Sequence, residues 1–442
     1  MSRRRALWLT LLSALVPGVA HWHAGRRRTA AVLGSIGALI WASAALAVNN
    51  VGSEHLLLAA VRPTVLLLVV AVAVVAAPAW IALVVASYNA VRPMGMSNRR
   101  TRTARIAVIG LCAAVAIPPT LVAHYAYSQY DLVTSVFGNG SSDRSYTAAA
   151  SDQDPRRSGQ PLPGTGRLNV LLLGSDAGAG RAGTRVDTMV LASVDQQTGR
   201  TALLSLPRNL RNAPMPAGPA RARYPGGFDD MLNGVYRAAD QHPELVPGSE
   251  QPGPDLIKGT VSQVLGVPVH HYAKVDLRGF RGLVDALGGV DVNVRQRMPV
   301  GETGRFFNPG PQHFDGSQAL WYARSRTGGR DYDRMERQRC MISTLAEQAD
   351  PATVLNHYHK VAAAAKDNLR TDIPADMLQE LVALADKIEP AGSTQFVPPL
   401  IDPANPDFDR MRAMARDTIR RSESGQGPAS ADRGNNAVTA AC

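Results

Sequence analysis

Cysteine is scarce in this chain. Its 442 residues hold three, Cys112, Cys340 and Cys442, with no CxxC and no Cys/His spacing. That removes a zinc site from consideration. A Cys340–Cys442 disulfide is conceivable, given an oxidising compartment. Lysine is also sparse, and arginine carries most of the positive charge. No Gly-Lys-Ser/Thr sequence closes a phosphate loop, and no repeat is present. Aromatic residues make up 5 % and form no ladder on which single-stranded nucleic acid could stack. What the chain does have is a formal net charge of +11. That surplus favours anionic partners: nucleic acid, phosphorylated lipid or a membrane surface. Its length allows two or three domains.

Long apolar runs fill the first third. Residues 29–48, 64–87 and 106–123 each have the length of a membrane span, roughly 20 residues. A buried soluble helix is the competing reading, and three such runs in a hundred residues weigh against it. Arg26, Arg27 and Arg28 precede the first of these runs. Arg92, Arg99, Arg100, Arg102 and Arg105 lie between the second and third. Both clusters belong on the cytoplasmic side. The loop NNVGSEHLLLAAVRP, with one arginine, then lies outside, and so does everything beyond about residue 130. Residues 6–20 form a shorter run ending at Pro17-Gly18. Arg3–Arg5 and Arg26–Arg28 both prefer the inside, so this run reads as a re-entrant or interfacial segment. A cleaved signal peptide is the lesser alternative.

The chain divides into a membrane region (1–128), a Gly/Ser/Pro/Arg-rich linker (129–166), a globular domain (167–421) and a polar tail (422–442) expected to be disordered. In the globular part LNVLLLG, DTMVLASVD (187–195) and TALLSLPR (201–208) read as strands, the last two joined by a turn at QTGR. MLNGVYRAAD, DLIKGTVSQVLG, RGFRGLVDALGG, YDRMERQRCMISTLAEQA, MLQELVALADKI and FDRMRAMARDTIRR read as helices. HHYAKVDL and VDVNVRQ read as strands. Strands mixed with helices place the domain in the α/β or α+β class.

Three stretches carry candidate chemistry. In GSDAGAGRAGTRVD (174–187), Gly178, Gly180 and Gly183 match G-x-G-x-x-G. A dinucleotide site needs a helix after that turn, and DTMVLASVD reads as a strand. The glycines therefore connect Asp176, at the end of one strand, to Arg185 and Asp187 at the start of the next. If the strands are neighbours, both carboxylates share one rim. Two rim carboxylates suit Mg²⁺, which takes one or two carboxylates plus phosphate oxygens; plain turn capping by Asp is the ordinary alternative. Arg208, in SLPRN, ends the third strand near the same rim. WYARSRTGGRDYDRMERQR (321–339) holds six arginines. If Tyr322–Arg326 is extended, Arg324 and Arg326 point to one face. If a helix begins near Asp331, then Arg330, Arg334, Arg337 and Gln338 share one helical face. Arginine forks bind phosphate oxygens in pairs; a solvated surface or a nucleic-acid patch are the rivals, the latter at odds with an outside location. Arginines aligned with a divalent metal make a pyrophosphate clamp. Outside a membrane, the natural pyrophosphate is lipid-linked.

The ordered motifs LNVLLLGSD, TRVDTMVLASVD, LLSLPRNL, DMLNGVY, YAKVDLRGFRGLVDALGGVDVNV, FDGSQALWYARSR and DYDRMERQR, from about Leu168 to Pro399, resemble the LytR–CpsA–Psr family of bacterial cell-envelope proteins. The resemblance implies a mixed α/β–α sandwich, here extracytoplasmic and preceded by transmembrane helices, with a groove for a polyprenyl chain. It implies a phosphotransferase that moves a glycopolymer from a polyprenyl-pyrophosphate carrier onto a peptidoglycan hydroxyl at the cell membrane. By position, Asp176 and Asp187 correspond to Mg²⁺-associated aspartates. Arg185, Arg208, Arg324 and Arg326 correspond to pyrophosphate arginines, and Asp331, Arg334 and Gln338 to the polar set on the next helix. Asp176, Arg185, Asp187 and Arg208 are the candidate catalytic residues. Ala177 and Asn209 depart from the family's usual residues, and three spans are more than most members have. Nucleic acid is not an expected partner. A membrane-anchored binder of lipid-linked precursors without catalysis is the alternative function; a transcription regulator is a third, opposed by the outward topology.

Overall fold

The computed structural model describes residues 3–50, 62–92, 98–137, 166–176, 186–301, 303–325, 331–348, 358–385 and 387–424. The chain separates into two compact units, Met1–Val133 and Thr134–Cys442.

The first unit is helical: α1 (Arg3–Leu15), α2 (Val19–His23), α3 (Arg27–Asn50), α4 (Pro63–Val91) and α5 (Asn98–Phe137). Among the described residues two stretches, Pro63–Val91 and Thr101–Phe137, are long and apolar enough to cross a membrane, by length and composition. That is two where the apolar runs suggested three. Helix α1, at 13 residues, rises about 20 Å at 1.5 Å per residue, short of a ~30 Å hydrocarbon core. It lies along α4, where Ser13 Oγ and Ser87 Oγ are 2.9 Å apart in a buried contact. Its last carbonyls have no intrahelical partners. Tryptophan indoles fill two of them: Trp80 Nε1 donates to the Ala14 carbonyl at 3.0 Å and Trp41 Nε1 to that of Leu15 at 3.1 Å. The chain then reverses at Pro17-Gly18. Gly18 has φ +98°, and a Cβ there would stand 2.5 Å from the Ala30 carbonyl oxygen.

The second unit is mixed α/β. Its main sheet has six strands in the order β10–β3–β2–β1–β4–β9. They are β1 (Arg167–Ser175), β2 (Val186–Asp195), β3 (Arg200–Leu206), β4 (His271–Asp276), β9 (Leu369–Thr371) and β10 (Glu389–Gln395). The pairs β1–β2 and β2–β3 are antiparallel, whereas β1–β4 and β10–β3 are parallel. The β2–β3 reversal is set locally. Asp195 Oδ1 accepts from the Gln197 and Thr198 N–H groups at 3.0 and 2.8 Å, and Gly199 takes φ +75°.

Strands buried on both faces read as nearly continuous apolar runs, which is why LNVLLLG and MVLASV were legible. One face packs Leu171, Leu173, Met189, Leu191, Leu204 and Leu206 against three helices: α6 (Val235–Gln241), α7 (Pro252–Leu265) and α13 (Phe408–Ser424). The other face carries Leu172, Val190, Ala192 and Leu203 against Ile342 of α10 (Asp331–Gln348). A second core joins β5 (Val290–Val294), β6 (Met298–Val300), β7 (Arg305–Phe307), β8 (Gly310–Phe314) and α9 (Gly316–Arg324). Helices α8 (Leu277–Ala286), α11 (Tyr358–Asn368) and α12 (Leu378–Ala385) complete the described helices used below.

Several expectations shift. Helix α5 continues to Phe137, past the start assigned to the linker, and α13 continues to Ser424, past the start assigned to the tail. Strands β6, β7, β8, β9 and β10 and helix α11 were not anticipated. Cys112 is free and Cys340 is disulfide-bonded; Cys442 lies outside the described residues.

Candidate functional site

The β2–β3 register builds the site. Met189 pairs with Leu206. Strand β3 ends at Leu206, two residues short of the expected end of TALLSLPR, because Pro207 has no N–H for the ladder; Arg208, in the turn that follows, stands near Asp187 of β2. The side chains close that pair: Arg208 Nη1 donates to Asp187 Oδ1 at 2.8 Å. Asn233 Nδ2 reaches the same oxygen at 3.4 Å. Its backbone N–H donates to the Arg208 carbonyl at 3.1 Å. Asn233 sits in the single 3₁₀ turn, Leu232–Gly234, that opens α6. It ties both members of the ion pair to the helix layer. Sequence reasoning missed it, because MLNGVYRAAD reads only as a helix and the contact to Asp187 spans 46 residues; its motif, DMLNGVY, was the one available pointer.

The β1–β2 register slips between Gly174 and Ser175, a bulge that re-aims the strand end. Asp176 follows at once, on the rim that Asp187 occupies. Arg324, the last residue of α9, reaches it: Nη2 lies 3.6 Å from Oδ2. From the second face of the sheet, α10 sends Arg334. This side chain is buried, 4 % exposed, with Nη1 3.4 Å from the Asp187 main-chain carbonyl. The rim therefore gathers Arg208, Arg324 and Arg334 about Asp176 and Asp187.

Burial alone would push the Asp187 carboxyl up. Hydrogen bonds and charge from Arg208, then Asn233 and Arg334, outweigh it and hold the group below its ordinary value. Asp187 thus stays an anion at neutral pH and is a weak proton acceptor.

The remaining sequence candidates fall as follows. Gly178, Gly180, Gly183 and Arg185, together with Arg326 and Arg330, lie outside the described residues. Asp331 is the first residue of α10. Gln338 is half-buried one turn beyond Arg334 on that helix. The strand that argued against a dinucleotide turn is present as β2.

Two readings of the arginine-rich stretch need correction. Tyr322–Arg324 is helical, because Asp315 and Gln318 form a reciprocal cap that starts α9 and the helix runs on to Arg324. Alternation along a strand therefore does not pair Arg324 with Arg326. Arg337 does not face the rim with Arg334. Its Nε donates to the Tyr322 carbonyl at 2.9 Å and its Nη2 to that of Ser325, satisfying the end of α9. Arg339 is structural as well: buried, it donates to Ser393 Oγ at 3.0 Å and pins α10 to β10.

Residues 133–396, which contain this whole arrangement, match the LytR_cpsA_psr family. The chain belongs to that family. Among curated LytR–CpsA–Psr relatives it is 31 % identical to the polyisoprenyl-teichoic acid–peptidoglycan teichoic acid transferase TagU of Enterococcus faecalis. That match covers 48 % of this chain and 64 % of the relative. The TagU of Oceanobacillus iheyensis is also 31 % identical, over 54 % of this chain and 70 % of its own. Two solved structures align at low overall similarity. TagT bound to LIIa-WTA is 20 % identical with TM-score 0.46, covering 62 % of this chain and 98 % of that one. B. subtilis TagV is 22 % identical with TM-score 0.43, covering 59 % and 98 %.

Proposed function

We propose that this protein transfers a glycopolymer from a polyprenyl-pyrophosphate carrier to a hydroxyl of peptidoglycan. The observation that carries the reading is the rim itself. Three arginines, Arg208 just past β3, Arg324 at the end of α9 and Arg334 on α10, gather about two aspartates, the first two on their carboxylates and the third on the Asp187 main-chain carbonyl. The surplus positive charge fits a dianionic pyrophosphate, and guanidinium forks match its oxygens. The similarity to transferases that are named for polyisoprenyl-linked teichoic acid supports the same class of donor.

In this reading the acceptor hydroxyl attacks the phosphorus that bears the glycan. A new acceptor O–P bond forms as the hydroxyl gives up its proton to solvent, the P–O bond to the bridging oxygen breaks, and polyprenyl monophosphate leaves. Arg208, Arg324 and Arg334 hold the pyrophosphate in line and take up the charge that grows on its oxygens. Asn233 fixes Arg208 and Asp187 relative to one another. Among the described residues no group of three or more His, Cys, Asp or Glu could hold a metal. Two carboxylates on one rim fit the hard-oxygen demand of Mg²⁺ when substrate oxygens complete the set. Asp176 and Asp187 would hold it, and it would neutralise phosphate charge. The depressed Asp187 pKa suits that electrostatic role better than proton abstraction.

The arginine clusters orient the chain. We read the Arg92–Arg105 cluster as cytoplasmic, and on that reading the candidate site works on the outer side of the membrane. In the same reading α1 is a re-entrant helix, whose end carbonyls Trp41 and Trp80 satisfy.

Mass spectrometry of lipid released from the full chain, purified in mild detergent, tests the donor. A polyprenyl pyrophosphate carrying saccharide is the expected species. Phospholipid alone would overturn the reading.

A further inference from the structure

Trp321 is the one tryptophan beyond residue 80. It lies on α9 one turn before Arg324, the residue that reaches Asp176. Positions three apart share a helix face. Its neighbours Ala319 and Tyr322 are buried in the second core and Ala323 is buried too, yet Trp321 remains 37 % exposed. The ring is not loose. Its Nε1–H donates to the Pro299 carbonyl of β6 at 3.1 Å. Across the β6–β7 ladder, Pro299 pairs with Phe306, which is 41 % exposed. The Arg297 guanidinium stacks 3.7 Å from the Phe306 ring centroid. Arg297, Phe306, Trp321 and Arg324 thus link an exposed hairpin to the candidate site. Single exposed apolar residues are ordinary. Two anchored aromatic rings between arginines, leading to a charged rim, are a surface with a direction.

We propose that Trp321 and Phe306 form a stacking platform for the acceptor glycan strand, beside the Asp176–Arg324 end of the site; this rests on the glycopolymer-transfer reading. The donor is already gripped through its pyrophosphate. The acceptor offers the reacting centre only a neutral hydroxyl, so its affinity and alignment must come from an adjoining surface. The C–H face of a pyranose is flat and apolar and suits an indole face, while flanking guanidinium groups suit its hydroxyls. A lipid headgroup layer also favours Trp and Arg, but there the indole N–H is the wet end of the side chain. Here the N–H is turned inward to Pro299.

The test measures binding of soluble, uncrosslinked peptidoglycan glycan strands to the full chain in detergent. Trp321→Ala is expected to weaken binding on the order of tenfold, with Trp321→Phe close to wild type. Phe306→Ser, at an exposed position that leaves the core intact, is expected to weaken it as well. Asp187→Asn is expected to bind the strands normally, which separates the platform from the chemistry. In turnover, Trp321→Ala should raise KM for the acceptor and leave the donor KM unchanged. Unchanged glycan affinity in both aromatic variants overturns the proposal, as does a rise in donor KM alone. So does quenching of the Trp321-dependent fluorescence by brominated phospholipid in proteoliposomes, since that places the ring in lipid. If glycan binding follows Trp321 but no polymer is transferred, the transferase reading fails and the platform stands.

Discussion

Arg208→Ala is expected to lower polymer transfer on the order of 10³-fold, the scale at which removal of one preorganised charge-stabilising donor acts. Arg208 meets Asp187 at 2.8 Å from the turn that follows β3, and the backbone N–H of Asn233 on its carbonyl holds that turn in place. Its loss would remove a phosphate ligand and release Asp187 from the partner that keeps it ionised. The fold should tolerate the change. The pair's side chains are 25 % and 30 % exposed, and partly exposed pairs contribute about 0–1 kcal/mol. Unfolding temperature should therefore stay near wild type while turnover collapses. Arg208→Lys keeps the charge but not the fork and should fall between. Transfer at the wild-type rate by Arg208→Ala would remove the clamp from the mechanism.

Lys258→Met is expected to do the reverse: a large loss of stability, with little change in turnover per folded molecule. Lys258 is buried on α7 and bonded to Asp372, with Asp255 at 3.2 Å. Burial alone would lower its pKa, but the two carboxylates outweigh that and raise it. Asp372 Oδ1 also accepts from the Tyr272 N–H at 2.8 Å. Removing the lysine strands two carboxylates in the interior, which costs about 3–5 kcal/mol. For a unit of this size that is roughly 10 °C in unfolding temperature. Adding Asp372→Asn should restore part of the loss. The cluster sits beside His271, which pairs with Val170, five residues before Ser175 on β1. At ~3.4 Å per residue that is about 17 Å from the rim, so catalysis should be spared. A scan showing no loss of stability would mean that the buried network is not formed in solution.

These two residues show what was readable in the sequence. Arg208 was found because the strand that precedes it is apolar, and because strand, loop and strand put Asp176 and Asp187 on one rim. Lys258 was not, since Asp372, its second carboxylate beside the local Asp255, lies just past β9 and 114 residues away, and a pairing over that distance leaves no periodic mark. The same holds for Asn233, whose role needs α6 to dock on the sheet. Strand β10, EPAGSTQ, has no apolar alternation. It is a strand only because β3 pairs with it and α13 covers it. Arginine-rich WYARSRTGGRDYDRMERQR was legible as a phosphate face only in part. Arg337 and Arg339 turned out to serve α9 and β10, and composition alone could not separate those roles from that of Arg334. Trp321 passed unnoticed, because an aromatic in a helix is ordinarily core.

The most direct measurement is the product itself. The purified full chain is incubated with lipid-linked glycopolymer, peptidoglycan and Mg²⁺, and the products are read by mass spectrometry. The expected result is polyprenyl monophosphate and phosphodiester-linked polymer in equal amounts, both lost with a chelator and in Asp187→Ala. Tight binding of the lipid with no product under any of these conditions would contradict a transferase and leave a binder of wall precursors.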